Sequence, residues 1–134
     1  MPRHPNVYAE MLADKIENHG SNVWMVNTGW AGGPYGVGSR IKLRYTRRML
    51  DAAIKGELDD CEYRTSKVFR LKVPTAIQGV PSDILIPRDS WADPVAFDQK
   101  ASDLAQMFMK NFERFESEAK RETLEAGPKL VLSE

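Results

Sequence analysis

The chain is short of the residues that most directly advertise chemistry. Its 134 residues include one cysteine, Cys61, and two histidines, His4 and His19. A lone thiol excludes an intramolecular disulfide and a cysteine cluster for zinc, and two histidines far apart in sequence do not supply the missing ligands. A reduced, cytoplasmic setting is the expectation. Net charge is lacking as well: 19 basic side chains balance 19 acidic ones, so no broad field draws the chain to nucleic acid or to an anionic membrane. No apolar run approaches the ~20 residues that cross a bilayer, and the polar opening at residues 1–5 is unlike a secretory signal. Internal repeats and low-complexity stretches are missing too. The length suits a single unit over residues 1–134, with a charged tail of uncertain order from 117 to 134.

What is present is a mixed α/β pattern of short strands flanked by helices. Val7, Tyr8, Met11, Leu12 and Ile16 recur at helical spacing between Pro5 and His19, and Gly20 supplies a stop. The run Asn22-Val23-Trp24-Met25-Val26-Asn27 has the composition of a buried strand. Residues 40–44 alternate Ile41 and Leu43 against basic side chains, as a half-buried strand would. A helix is expected next, with Thr46 as its cap, Met49, Leu50, Ala53 and Ile54 on its apolar face, and Gly56 closing it. Arg47 and Arg48 then fall in its first turn, where the macrodipole disfavours cations unless an anion or carboxylate is near. Residues 68–73 read as a further strand stopped by Pro74, and 79–91 as irregular or a short helical turn. From Pro94, the positions Phe97, Ala101, Leu104, Phe108, Phe112 and Phe115 mark one stripe of a long C-terminal helix.

One segment departs from ordinary patterning. Residues 28–39, Thr-Gly-Trp-Ala-Gly-Gly-Pro-Tyr-Gly-Val-Gly-Ser, hold five of the nine glycines, a density used where backbone turns sharply or approaches another group closely. A strand, a glycine-rich loop, Ser39-Arg40 and then a helix suit an anionic or nucleotide ligand, and they equally suit a tight structural turn. The loop lacks the Gly-Lys-Ser/Thr ending of a phosphate-binding P-loop, and Gly36-Val37-Gly38 lacks the third glycine of a dinucleotide site. Trp24, Trp30 and Trp91 read as packing residues. Cys61 has no evident activating neighbour in the sequence.

Several motifs in register add to that reading. His4-Pro5-x-x-Tyr8-Ala9-Glu10-Met11-Leu12, Val26-Asn27-Thr28-Gly29-Trp30, Gly32-Gly33-Pro34-Tyr35-Gly36-Val37-Gly38-x-Arg40-Ile41, Tyr45-Thr46-Arg47 and Gly56-Glu57-Leu58-Asp59 resemble successive segments of ATP-dependent phosphoenolpyruvate carboxykinases. The likeness continues through Gly79-Val80-Pro81, Ile84-Leu85-x-Pro87-Arg88, Trp91 and Ala126-Gly127-Pro128, covering nearly the whole chain. It implies the C-terminal part of that family's nucleotide-binding domain, either a deliberately expressed fragment or a truncated gene product.

By this resemblance Arg40 and Ile41 fall on the adenine-contacting pair and Thr46 on a further nucleotide-contacting position. The implied reaction is the gluconeogenic conversion of oxaloacetate and ATP to phosphoenolpyruvate, carbon dioxide and ADP, with magnesium and manganese in the full-length enzyme. The family's P-loop lysine, metal ligands and oxaloacetate-binding arginines lie upstream of the matched region. No catalytic and no metal-binding residue is therefore assigned here, and the isolated polypeptide is expected to be inactive. Part of the phenylalanine stripe is expected to lie exposed and to promote self-association. The rival reading is a stand-alone nucleotide-binding or protein-interaction remnant without catalysis; the GTP-dependent carboxykinase class fits the motifs less well.

Overall fold

Helices carry most of the regular structure in a computed structural model that describes residues 3–130. Helix α1 spans Pro5–His19, with proline in its opening turn and the His4 ring nitrogen Nδ1 accepting from the Asn6 N–H at 3.4 Å. It ends at Gly20, the stop expected from sequence. The long helix, α3, spans Pro94–Phe112. Its cap is Asp93, whose carboxylate accepts from the N–H groups of Val95 at 2.9 Å and Ala96 at 3.1 Å, satisfying two donors that the first turn leaves free. The chain continues as a 3₁₀ turn at Glu113–Glu118 and a short helix, α4, at Arg121–Glu125. In this tail the Glu125 carbonyl accepts from Arg70 at 2.9 Å, and the Lys129 N–H donates to the Val68 carbonyl at 2.9 Å. Residues 131–134 of the expected tail lie outside the described residues.

Helix α2 begins earlier than its sequence signals imply. It spans Leu43–Ile54, with Lys42 at the cap position and no side chain bonding to its free N–H groups. Thr46 is therefore not the cap: it lies inside the helix and is buried. The reason is packing. Ile41 and Thr46, both buried, flank the cap at the two positions that a hydrophobic staple brings together, and the longer helix sets Tyr45, Met49, Ala52 and Ala53 against the core. Arg44, not Arg47 or Arg48, then occupies the first turn, with its guanidinium 4.6 Å from the centre of the Tyr45 ring. Arg48 finds its carboxylate in Glu57. After Ile54 the chain reverses through Gly56 at φ +71°, a left-handed conformation that glycine adopts without steric cost, and the Glu57 N–H donates back to the Ala52 carbonyl at 3.0 Å.

The strands are few and short. Strand β1 (Trp30–Ala31) pairs antiparallel with β2 (Ser39–Arg40), and β3 (Tyr63–Thr65) pairs antiparallel with β4 (Lys72–Pro74). Of the strand expected over residues 40–44 only Arg40 is in a ladder, because Leu43 already belongs to α2. The strand expected over 68–73 is mostly loop. Ser66 closes it, donating from its N–H to the Leu71 carbonyl at 2.9 Å and accepting at its hydroxyl from the Leu71 N–H at 3.0 Å. Pro74 is tolerated as the last ladder residue, opposite Tyr63, since the next donor, Thr75 N–H, reaches the Glu62 carbonyl at 3.0 Å. Residues 79–91 contain one 3₁₀ turn, at Ser82–Ile84, as the sequence allowed. The run 22–27 forms no strand.

The core is built of small and medium side chains. Ala52, Leu58, Ile77, Val80 and Leu85 form one buried cluster, with Trp24, Tyr45 and Met49 partly buried against it. On α3 only Ala101 and Ala105 are buried, while Leu104 and Phe108 remain 44% and 52% exposed. The apolar face of α1 is open in the same way: Met11 and Leu12 are 54% and 57% exposed. Phenylalanines at the two ends of the α3 stripe pack edge-on, Phe97 on Trp91 at 5.6 Å and Phe115 on His4 at 5.6 Å. A two-bond ion pair, Arg88 to Asp98 at 2.8 and 2.9 Å, ties the 79–91 loop to α3 and holds the Asp98 carboxyl below its ordinary range, chiefly through those hydrogen bonds.

Tyr63 links the second hairpin to this core. Its ring stacks on Trp24 with centroids 6.1 Å apart, and its hydroxyl donates to the Leu58 carbonyl. Partial burial, then the Cys61 sulfur and the negative charge of Cys61, Asp59 and Asp60, push the phenol up to about 12 from its usual 10.0. The folded state holds this proton more tightly than the unfolded chain, so the associated stability is complete below pH 10 and disappears as pH rises toward 12. A spectrophotometric titration should show one of the four tyrosines ionising last. Tyr63→Phe should remove that final step; a final step retained in the variant would assign it to another tyrosine.

Candidate functional site

The glycine-rich segment folds into a hairpin whose two arms press together at backbone distance. Asn27 shapes its approach: its side-chain oxygen accepts from the Gly29 N–H at 2.9 Å and its amide donates to the Trp30 carbonyl at 3.2 Å. Trp30 then pairs with Arg40 and Ala31 with Ser39, and one more bond, Ile41 N–H to Gly29 carbonyl at 2.9 Å, continues the pairing to the start of α2. At the tip, the Pro34 carbonyl accepts from the N–H groups of Val37 at 3.0 Å and Gly38 at 2.9 Å. A Cβ on Gly38 would lie 2.6 Å from the carbonyl oxygens of Ala31 and Gly33, so no other residue fits without opening the turn. The Gly32 N–H donates to the Ser90 hydroxyl at 3.1 Å, and that hydroxyl donates to the Pro87 carbonyl at 2.6 Å, anchoring the hairpin to the 79–91 loop.

This hairpin positions the residues singled out in the sequence. Arg40 is exposed at the end of β2. Its directly opposed partner is Trp30, and directly opposed residues of an antiparallel pair share a face. Trp30 is 44% exposed, and the nearly free Tyr35 ring meets it edge-on at 5.4 Å. Two aromatic rings therefore accompany the guanidinium on an open surface, where the sequence reading had placed Trp30 in packing. The available signal was its position inside a glycine-rich turn, where nothing compels burial. Ile41 and Thr46 are buried rather than open: Ile41 directly follows β2, and Thr46 is the fourth residue of α2. The structure thus joins all three within one strand-to-helix junction and exposes only Arg40.

Two clefts border the site, one of them reaching into this junction through Arg44 and Tyr45. One, of about 570 Å³, is lined by Arg44, Tyr45, Arg48, Gly79, Val80 and Pro81. The other, about 650 Å³, separates residues 22–25 from residues 71–74. Among the described residues no group of three or more histidine, cysteine, aspartate or glutamate side chains could hold a metal ion. An exposed guanidinium paired across the hairpin from an exposed indole suits a planar, electron-rich group such as a purine.

Comparison with known proteins shows what the chain is similar to. The sequence model of the family described as Phosphoenolpyruvate carboxykinase matches residues 1–83. Phosphoenolpyruvate carboxykinase (ATP) of Christiangramia forsetii is 49% identical over 128 residues, which is 96% of this chain and 24% of that protein. The protein of the same name from Thermus thermophilus is 49% identical over 96% of this chain and 24% of its own length. That from Rhodopseudomonas palustris is 47% identical over 99% of this chain and 25% of its own length. The chain spans about a quarter of the length of the curated relatives it matches.

The backbone crowding at Gly38 generates a direct test. Gly38→Ala should destabilise the protein by about 1–3 kcal/mol, the usual cost of forcing atoms into a filled space, read as a lower urea midpoint. An unchanged midpoint would show that the hairpin arms are not pressed together.

Proposed function

Because this chain belongs to the phosphoenolpyruvate carboxykinase family, we propose that it supplies the adenine side of an ATP site. The whole protein then converts oxaloacetate and ATP to phosphoenolpyruvate, carbon dioxide and ADP, a gluconeogenic step. The observation that carries this reading is the exposed Arg40, set opposite Trp30 at the end of a hairpin that leads straight into α2. Arg40 stacks its planar cation on the purine face, a contact worth roughly 0.5–2 kcal/mol according to how far it is desolvated. Ile41 bounds the base through its buried side chain and its backbone, and the Thr46 hydroxyl offers one hydrogen bond.

These residues bind and orient; they do not activate phosphate. Phosphoryl transfer requires preorganised positive charge around the phosphates, and magnesium or manganese supplies part of it in the whole protein. By this reading the metal ligands, the phosphate cradle and the oxaloacetate site belong to residues outside the chain, which carries no P-loop sequence. Reduced thiol chemistry and cytoplasmic location accompany the proposal, and no described helix is long and apolar enough to cross a membrane.

The test uses a chimera in which this chain replaces the matching quarter of the Thermus thermophilus relative. Arg40→Ala in that chimera should weaken ATP binding by roughly 2- to 30-fold, the stacking energy expressed as affinity, and leave the unfolding midpoint unchanged because Arg40 is exposed. The isolated chain should give no turnover. Unchanged ATP affinity in the variant would remove Arg40 from the site, and turnover by the isolated chain would contradict the division of labour.

A further inference from the structure

Residues 88–91 hold four different neighbours from four consecutive positions. The Arg88 guanidinium bonds twice to Asp98 of α3, and the Asp89 carboxylate accepts from Arg64 of β3 at 2.6 Å. The Ser90 hydroxyl accepts from the Gly32 N–H at 3.1 Å, and the Trp91 ring meets Phe97 of α3 edge-on. The turn is closed by its own backbone: the N–H groups of Asp89 and Ser90 both donate to the carbonyl of buried Ile86, at 3.0 and 3.2 Å. Residues 86–91 are therefore a fixed point between α3 and the two hairpins.

The glycine-rich hairpin needs such a point. Its ladder has two rungs, and a two-stranded ribbon alone is marginal in water. Tyr35 and Val37 at its tip are exposed. Among the described residues, the bond from Gly32 to Ser90 is the single hydrogen bond that residues 31–39 make beyond the hairpin. The contact is close: a Cβ at Gly32, where φ is +80°, would lie 3.1 Å from the Ser90 carbonyl oxygen. The Ser90 hydroxyl works in both directions, because it also donates to the Pro87 carbonyl at 2.6 Å and so keeps its lone pairs for Gly32.

We propose that Ser90 is a positioning residue for nucleotide binding: by tethering Gly32 to the 86–91 turn, it holds the hairpin, and Arg40 with it, in the arrangement that receives the base. The inference rests on the adenine-side reading of Arg40 and adds how that surface is kept in place. The rung formed by Trp30 and Arg40 lies two residues from the tethered Gly32. A hairpin that opens part of the time presents its guanidinium part of the time, and apparent affinity falls with the competent fraction. Ser90 acts by lowering the ordering cost that binding would otherwise carry.

Ser90→Ala and Ser90→Thr in the Thermus thermophilus chimera test the proposal beside Arg40→Ala. Ser90→Ala should weaken ATP binding by roughly 2- to 10-fold, the ordinary worth of one neutral hydrogen bond expressed as affinity. KM for ATP should rise while kcat at saturating ATP is unchanged. Ser90→Thr keeps the hydroxyl and should bind ATP as the parent does. In this chain alone, with no nucleotide present, Ser90→Ala should speed hydrogen exchange at the Gly38 and Ile41 amides, which bond within the hairpin, by a similar factor. Unchanged ATP affinity in Ser90→Ala, with affinity lost in Arg40→Ala, would overturn the tether and leave the adenine reading standing; unchanged affinity in both would overturn that reading as well. Unchanged exchange would also overturn the tether. So would a Ser90→Thr variant as weak as Ser90→Ala, by assigning the effect to packing rather than to the hydroxyl. If the chimera does not fold, adenosine titrated into this chain and followed by NMR at the Arg40 side chain carries the same outcomes.

Discussion

The close approach of two backbone arms at Gly38 is the constraint on which the arrangement of the site depends. With carbonyl oxygens of Ala31 and Gly33 only 2.6 Å from where a Cβ would stand, glycine at this position lets the hairpin close, pair Trp30 with Arg40 and deliver the chain to Ile41. Ile41 is buried at that point, and the chain turns directly into α2. Both residues of β2 are exposed, and burial begins only at Ile41, where the chain meets the body of the protein. The Ser90 hydroxyl, bridging Gly32 and Pro87, fixes the hairpin to the loop that Arg88 ties to α3. A local steric fact is thereby transmitted to both halves of the chain.

The sequence was most legible where structure is decided locally. Helix α1 carries its own proline and glycine boundaries, and α3 adds the Asp93 cap to a sustained apolar stripe, so neither needs knowledge of its neighbours. Thr46 was misread as a cap because its hydroxyl is a good local candidate, whereas burial of Ile41 and the fit of Tyr45 and Met49 against the core favour starting the helix at Leu43. Residues 68–71 alternate like a strand but are turned into a loop by Ser66, an interaction that periodicity does not register. For the site, glycine density marked the hairpin. The exposure of Trp30 and Tyr35 beside Arg40 depended on cross-strand register, which single-residue preferences do not encode.

The pattern of burial describes a protein unit that meets its solvent unevenly. The cluster around Ala52 and Leu58 is closed, but apolar positions of α1, of α3 and of the 22–27 run stay open although their sequences are patterned for packing. Local propensity and capping hold these elements in shape without the surfaces they are suited to meet. At the hairpin Arg40 and Trp30 stay exposed in the same way.

Photolabelling with an azido-adenine analogue of ATP, carried out on the Thermus thermophilus chimera and mapped by mass spectrometry, tests the central claim most directly. The account predicts label between Trp30 and Thr46 that unlabelled ATP competes away. Competed label confined to the Thermus thermophilus portion, with none on this chain, would contradict it.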